Sequence, residues 1–225
     1  MRWRAAQYPT EAILGVAFNP VRCILNEVGR IAGLNYVVQV VLDGRGGVVR
    51  VIAGDPIAAD RASTTTSFQV YAVDVPTRAD IVVADARLDD ADLFQAAKAL
   101  YAASLAVRPR GTVVLVAACP EGVGPTHPLA RWYGIKPIRD IEADVSLEKI
   151  ADVVAASFLA MVSRALQERG ACYLVSRHFS AAEASCLGFH LASTPREALD
   201  QARQDVGNEA SVLVLRQATA VFPRI

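Results

Sequence analysis

Four short apolar runs constrain the fold of this chain more than any other feature: Asp80-Ile-Val-Val-Ala84, Thr112-Val-Val-Leu-Val-Ala-Ala118, Ala171-Cys-Tyr-Leu-Val175 and Ser211-Val-Leu-Val-Leu215. Successive side chains of a strand point to opposite faces, so a strand with one wet face alternates apolar and polar residues. These runs are continuous, which means that both faces must be covered. Helical patterns separate them, over about Asp90–Val107, Leu129–Tyr133, Leu147–Glu168, Ala181–Cys186 and Thr194 to Gln204. Strands alternating with helices predict an α/β fold, a Rossmann-like parallel sheet with helices on both faces.

The first third reads differently, as helix, hairpin, helix. Asn19-Pro20 is a cap followed by proline at the first helical position. Val21, Ile24, Leu25, Val28 and Ile31 then recur at helical spacing as far as Gly33. The β-branched run Tyr36–Leu42, the turn cluster Asp43-Gly-Arg-Gly-Gly47 and the run Val48–Ile52 predict a hairpin. Asp55-Pro56 opens an alanine-rich helix, which the run Thr64-Thr-Thr-Ser67 is expected to end. Val75-Pro-Thr-Arg78 reads as a linker. The expected organisation is therefore a segment over 1–75 and an α/β domain over 76–225.

Composition excludes several classes. Hydrophobic residues make up 53% of the 225 and charged residues 20%, too apolar for a disordered chain. Lys+Arg and Asp+Glu both number 23, so no net field attracts a polyanion and no nucleic-acid partner is expected. The uncharged core of the most apolar helix candidate runs only from Val153 to Ser163, whereas a spanning helix needs about 20 apolar residues. Gln7, Pro9, Thr10 and Glu11 interrupt any signal-peptide core, so no membrane partner and a cytoplasmic location are expected. The four cysteines, Cys23, Cys119, Cys172 and Cys186, show no paired spacing and suit a reducing compartment.

In a parallel sheet, ligands bind outside the carboxyl ends of the strands. Two loops fall there, one over Asp85–Asp90 and one after Ala118 carrying Glu121, Gly122, Gly124 and His127. The acidic group Asp89, Asp90 and Asp92 stands where a helix begins and reads as capping. Cys186 and His190 are four apart, but Leu-Gly-Phe between them is poorly helical, and no zinc spacing includes His127, His178 or His190. No nucleophile elbow or phosphate loop follows a strand, and Gly44-Arg-Gly-Gly47 belongs to the hairpin. Gln95 and Lys98, three apart near a helix N-terminus, share one face. A lysine there can hold a carboxylate, and a glutamine can bond a hydroxyl. A solvated polar face accounts for the same spacing.

Asn19-Pro-Val21, Val40-Val-Leu-Asp43, Ala53-Gly-Asp-Pro56, Ala79-Asp-Ile-Val82, Leu93-Phe-Gln-Ala-Ala-Lys98 and Gly111-Thr-Val-Val-Leu-Val-Ala117, in this order, resemble the nickel-pincer lactate racemase family. The helix Thr194-Pro-Arg-Glu-Ala-Leu199 and the final strand resemble its C-terminal end. The resemblance covers only the second half of such an enzyme. It implies that 1–75 is the remnant of an N-terminal domain and 76–225 the whole C-terminal domain. Family members racemise or epimerise 2-hydroxy acids at a pincer nickel nucleotide that accepts and returns a hydride, with two histidines as acid and base. The cofactor-linking lysine, the nickel histidine and the acid–base pair belong to the absent part. The resemblance thus implies no catalytic residue, no metal ligand and no cofactor bound by this chain alone.

What the resemblance does carry over is substrate contact by Gln95 and Lys98, by Phe94 in place of a tyrosine, and by Phe158 in place of a tryptophan. Two departures stand out. The loop Asp85-Ala-Arg-Leu-Asp-Asp90 lacks the family's glycine pair and proline, and Asp60 follows Ala59 where a histidine is usual. Three readings follow. The chain is the substrate-side component of a 2-hydroxy-acid racemase or epimerase whose cofactor domain is another polypeptide, a non-catalytic carboxylate-binding or regulatory module, or a truncated relic.

Overall fold

The computed structural model describes residues 8, 10–13, 15–124, 137–147, 149–150, 156, 162 and 169–225. His127, Phe158, the helix candidate Leu129–Tyr133 and most of Leu147–Glu168 lie outside the described residues.

A short helix α1 (Thr10–Ile13) precedes α2 (Pro20–Ile31), strands β1 (Val37–Leu42) and β2 (Val48–Gly54), and α3 (Pro56–Tyr71). Asn19 caps α2 by accepting from the Arg22 amide at 2.9 Å, and Asp55 caps α3 by accepting from Ile57 and Ala58. The β1–β2 turn forms because the Asp43 carboxylate accepts from the Arg45 and Gly47 amides, both at 2.8 Å. The hairpin is antiparallel, with Val40 opposite Val51. One face packs on α3, tied by Ser63 Oγ to Gln39 Oε1 at 2.7 Å and by Arg50 Nη1 to Thr66 Oγ1 at 3.2 Å.

The threonine run does not end α3, which continues to Tyr71. Thr65 and Thr66 donate their hydroxyls to the carbonyls of Arg61 and Ala62, each at 3.1 Å, so they are satisfied within the helix.

Strand β3 (Ala72–Asp74) leads into β4 (Ala79–Asp85), then α4 (Leu93–Ala96), α5 (Lys98–Ala106) and β5 (Val107–Val116). Next come α6 (Ile138–Ser146), β6 (Cys172–Val175), α7 (Ala181–Cys186), β7 (His190–Ala192), α8 (Pro195–Val206), β8 (Val212–Leu215), a 3-10 turn (Ala218–Ala220) and β9 (Phe222–Arg224). The helix expected to reach Val107 stops at Ala106, and the strand expected from Thr112 begins at Val107, through an irregular stretch in which Arg110 takes φ 60°. Among the described residues, α1, α6, β3, β7 and β9 lie where the sequence predicts no helix or strand.

Strands β7-β6-β5-β4-β8 form one parallel sheet. Its two faces divide the apolar runs by alternation. Val82, Val113, Leu115 and Leu174 enter the larger core with α5, while Ile81, Val114 and Tyr173 enter the other beneath α8. Helix α5 is buried on nearly every side, and its small residues Ala99, Ala102, Ala103 and Ala106 let it lie close to the sheet. A second, two-stranded sheet pairs β3 with β9, so the C-terminal strand is anchored to the segment ahead of β4.

Candidate functional site

Within the sheet, β4 to β7 progress in one direction and β8 lies on the other side of β4. The order therefore reverses between β4 and β8, the place where open α/β sheets form their ligand crevices. The chain leaving β4 runs through 86–92 into α4 and α5, and the chain leaving β8 runs into the 3-10 turn. Helix α5, the 3-10 turn and β9, with Tyr71 at the end of α3, wall a cavity of about 450 Å3 lined by Tyr71, Lys98, Tyr101, Leu105, Val221 and Phe222, with Ala102 and residues 218–220.

Lys98 is exposed, and its ammonium makes no hydrogen bond or ion pair with any described residue. The remaining wall is mostly apolar or aromatic. Burial pushes the ionisation of the Tyr101 hydroxyl upward, so at neutral pH it is a neutral phenol. A lone cation beside an apolar cavity suits a small molecule with one carboxylate. Gln95 is half-buried, Phe94 packs against the larger core, and neither lines this cavity. The structure thus brings Lys98, but not Gln95 or Phe94, to the cavity wall. Tyr101 stands three residues after Lys98, and helical spacing could have flagged it. Tyr71, Val221 and Phe222 left no such signal, since only the β3–β9 pairing and the Phe68–Phe222 edge contact, with centroids 5.1 Å apart, bring them there.

The start of α4 is held by the two loops that sequence placed beyond the strand ends. Asp92 caps it by accepting from the Gln95 amide at 2.7 Å. The Leu93 amide donates to Gly122, the Glu121 amide to Ala91 and the Cys119 amide to Asp90, while Asp90 Oδ2 accepts from Ala118 at 2.8 Å. Gly124, at φ +118°, leaves room for the Asp92 carboxyl, which would stand 3.3 Å from a β-carbon there. The acidic group is therefore structural at Asp90 and Asp92. Burial, with the charges of Asp90 and Asp92, pushes the Cys119 thiol up to about 12, and it stays protonated.

The first loop has no glycine where one would ease the turn. Leu88 takes φ 85° instead, with its side chain exposed.

A second cavity of about 310 Å3 lies at the carboxyl ends of β5, β6 and β7, lined by Arg87, Asp90, Ser176, Arg177, His178 and Ser193. Arg87 is committed to Asp85, with Nη2 2.7 Å from Oδ2. His178 Nδ1 lies 2.8 Å from the Ala118 carbonyl, which only accepts; Nδ1 therefore carries the proton and Nε2 is left open. His190 rests against Tyr173, with ring centroids 5.2 Å apart. Cys186 closes α7 while His190 opens β7, so the two do not share a helix. Among the described residues, no three His, Cys, Asp or Glu side chains gather to hold a metal.

Asp60, where the family resemblance leads one to expect histidine, accepts an ion pair from Arg22 at 2.8 Å and fastens α2 to α3. None of the described helices is long and apolar enough to cross a membrane.

No curated protein matches this sequence. The lactate racemase apoprotein of Thermoanaerobacterium thermosaccharolyticum is similar in structure, with a TM-score of 0.80 at 21% identity over 92% of this chain. A Thermotoga maritima protein is similar with a TM-score of 0.72 at 14% identity over 99%. This chain spans 50% of the first of those proteins and 58% of the second. Residues 75–222 match the lactate racemase C-terminal domain, and the chain belongs to that family.

Proposed function

We propose that this chain is the substrate-side component of a 2-hydroxy-acid racemase or epimerase, with Lys98 holding the substrate carboxylate. The observation that carries the reading is the Lys98 ammonium, which pairs with no described residue, on the wall of the apolar cavity between α5 and the 3-10 turn. Family membership supports the same substrate class. Residues 1–75 are read as the end of an N-terminal domain and 76–225 as the C-terminal domain. Gln95 and Phe94, one turn before Lys98 but off the cavity wall, and Phe158 are further substrate contacts only as the family resemblance implies them.

Hydride exchange at a carbinol carbon needs a cofactor, because side chains alone do not accept hydride. The nickel-pincer nucleotide of the family would supply that hydride acceptor. Its place in this reading is a partner polypeptide, and activity of the isolated chain is not expected. Within the chain, Lys98 would bind and orient the carboxylate while Tyr101, Leu105 and Val221 exclude water from the substrate's apolar end. The four unpaired cysteines support a cytoplasmic setting. The Arg22–Asp60 bridge favours a second reading, a non-catalytic carboxylate-binding module, because it commits to structure a position that the resemblance assigns to histidine.

Titration of the purified chain with D- and L-lactate, followed by calorimetry, tests the carboxylate site. A charge-assisted contact is worth about 1.5–3 kcal/mol, so Lys98→Ala is expected to weaken binding by about tenfold or more. Lys98→Arg should retain part of it. Equal affinity in Lys98→Ala and the unaltered chain would overturn the carboxylate assignment.

A further inference from the structure

Four residues of α5 line the cavity beside the 3-10 turn, Lys98, Tyr101, Ala102 and Leu105, at the spacing of a single helix face. The wall changes character along that face. Lys98 is exposed, Tyr101 is half-buried, and Ala102 and Leu105 are buried. Seven residues of helix rise about 10 Å, so the cavity is a slot two turns long, with the cation at its exposed end and Leu105 at its buried end. The Tyr101 hydroxyl makes no hydrogen bond with any described residue, and as a neutral phenol it is available to donate. Beyond it the slot is bordered by Leu105, Val221 and Phe222.

The opposite wall is fixed. The Tyr71 hydroxyl donates to the Leu42 carbonyl at 2.5 Å, which sets the Tyr71 ring. The Phe222 ring stands edge-on to Phe68, with centroids 5.1 Å apart and planes at 77°, and the β3–β9 pairing holds its strand. The small residues Ala102, Ala218 and Ala220 leave the space between the walls. Two anchored rings keep the slot open, so a ligand enters with little reorganisation. Lactate carries one methyl beyond its carbinol carbon and reaches only about 4 Å from its carboxylate. Held at Lys98, it would end near Tyr101 and leave the second turn of the slot empty. The volume, about 450 Å3, lies in the range of about 300–1,000 Å3 that encloses much larger ligands.

We propose that the ligand of this cavity is a 2-hydroxy acid with a bulky apolar side chain, aryl or branched alkyl, rather than lactate. This inference rests on the substrate-side reading above and names the substrate class of the same site. The carboxylate sits at Lys98, and the side chain runs along α5 between Ala102 and the Phe222 ring to Leu105. Leu105, Val221 and the Tyr71 and Phe222 rings are the residues that set specificity, because they border the length of slot that lactate leaves unfilled.

Calorimetric titration of the full chain with lactate, 2-hydroxy-4-methylpentanoate, 3-phenyllactate and the uncharged 3-phenyllactamide tests it. The two bulky acids should bind at least tenfold more tightly than lactate, because each buries several more apolar carbons. Ala220→Leu, which fills the slot opposite α5, should erase that preference and leave lactate affinity unchanged, with native far-UV circular dichroism. The ligand series on the unaltered chain decides the matter even where that variant does not fold. Lactate bound as tightly as both bulky acids overturns the proposal, and so does an undiminished preference in folded Ala220→Leu. Binding of none of the four ligands overturns it together with the substrate-side reading. Otherwise the two fail separately. If 3-phenyllactamide binds as tightly as 3-phenyllactate and both outbind lactate, the carboxylate contact of Lys98 is removed and the apolar slot stands. Lactate binding that depends on Lys98, with no gain from a bulky side chain, does the reverse.

Discussion

Valine has opposite fates in the two regions of this molecule. In the five-stranded sheet, Val82 and Val114 are fully buried because α5 covers one face and α8 the other. In the β1–β2 hairpin, Val40 and Val51 form one cross-strand pair and stay about half exposed, because α3 packs on the other face of that sheet. The runs read alike as sequence. What differs is the number of layers, so an apolar strand records that a cover is favoured without saying which segment provides it.

The sharpest way to break this contrast is to truncate one residue in each region. Leu115→Ala, in the central strand with no exposed surface, should lower unfolding free energy by about 3–4 kcal/mol in urea melts. Val40→Thr should change it by no more than about 0.5 kcal/mol. Equal losses would mean that the hairpin face is buried in solution and that the two regions do not differ.

Next in size is the tie between α2 and α3. The Arg22–Asp60 pair is largely shielded, with side chains 27% and 17% exposed, and Arg22→Ala should cost about 1 kcal/mol. The same variant should speed amide exchange in α2 and leave β4 and β5 unchanged. Exchange speeding equally in both would show that the regions unfold together.

A smaller effect, readable in acid, belongs to the sheet domain. The Ser211 hydroxyl and amide, each 2.7 Å from Asp80 Oδ2, together with Arg108, hold the Asp80 carboxyl below the usual carboxylate range. A depressed folded-state value means that the stabilisation is complete above the unfolded value, about 4. It is lost as pH falls through the folded value. Asp80→Asn should therefore be less stable than the unaltered chain at pH 7, and the gap should close below about pH 4. A gap independent of pH would sink the assignment to ionised Asp80.

The smallest expected change is at Leu88, whose positive φ costs a side-chain-bearing residue about 1–2 kcal/mol, partly offset by the greater unfolded-state freedom of glycine. Leu88→Gly should raise stability by about 0.5 kcal/mol, and a loss would show that the exposed leucine makes contacts that outweigh its strain.

Much of the architecture was legible because local chemistry dictates it. Asn19-Pro20, Asp55-Pro56 and Thr194-Pro195 mark helix starts at which a side-chain oxygen takes a free amide, and the structure begins α2, α3 and α8 there. The turn at Asp43–Gly47 followed from the same logic. Lys98 was legible as a cation near a helix start after the first strand of the sheet. The extension of α3 past its threonines was not, because it depends on each hydroxyl finding a carbonyl four residues back. The three-residue strands β3, β7 and β9 escaped notice because so short a run has no periodicity, and they exist as strands only through their partners.

By itself the sequence determined the parallel sheet, the helix boundaries set by caps, and a lysine near a helix start. These follow from hydrogen-bonding groups and side-chain periods within a few residues of one another. Tertiary structure alone decided that Tyr71 and Phe222, 151 positions apart, wall the cavity beside Lys98. It also decided that the valines of one hairpin face lie bare while those of the main sheet are sealed. Burial is a property of the neighbours that fold against a residue, and those neighbours come from distant parts of the chain.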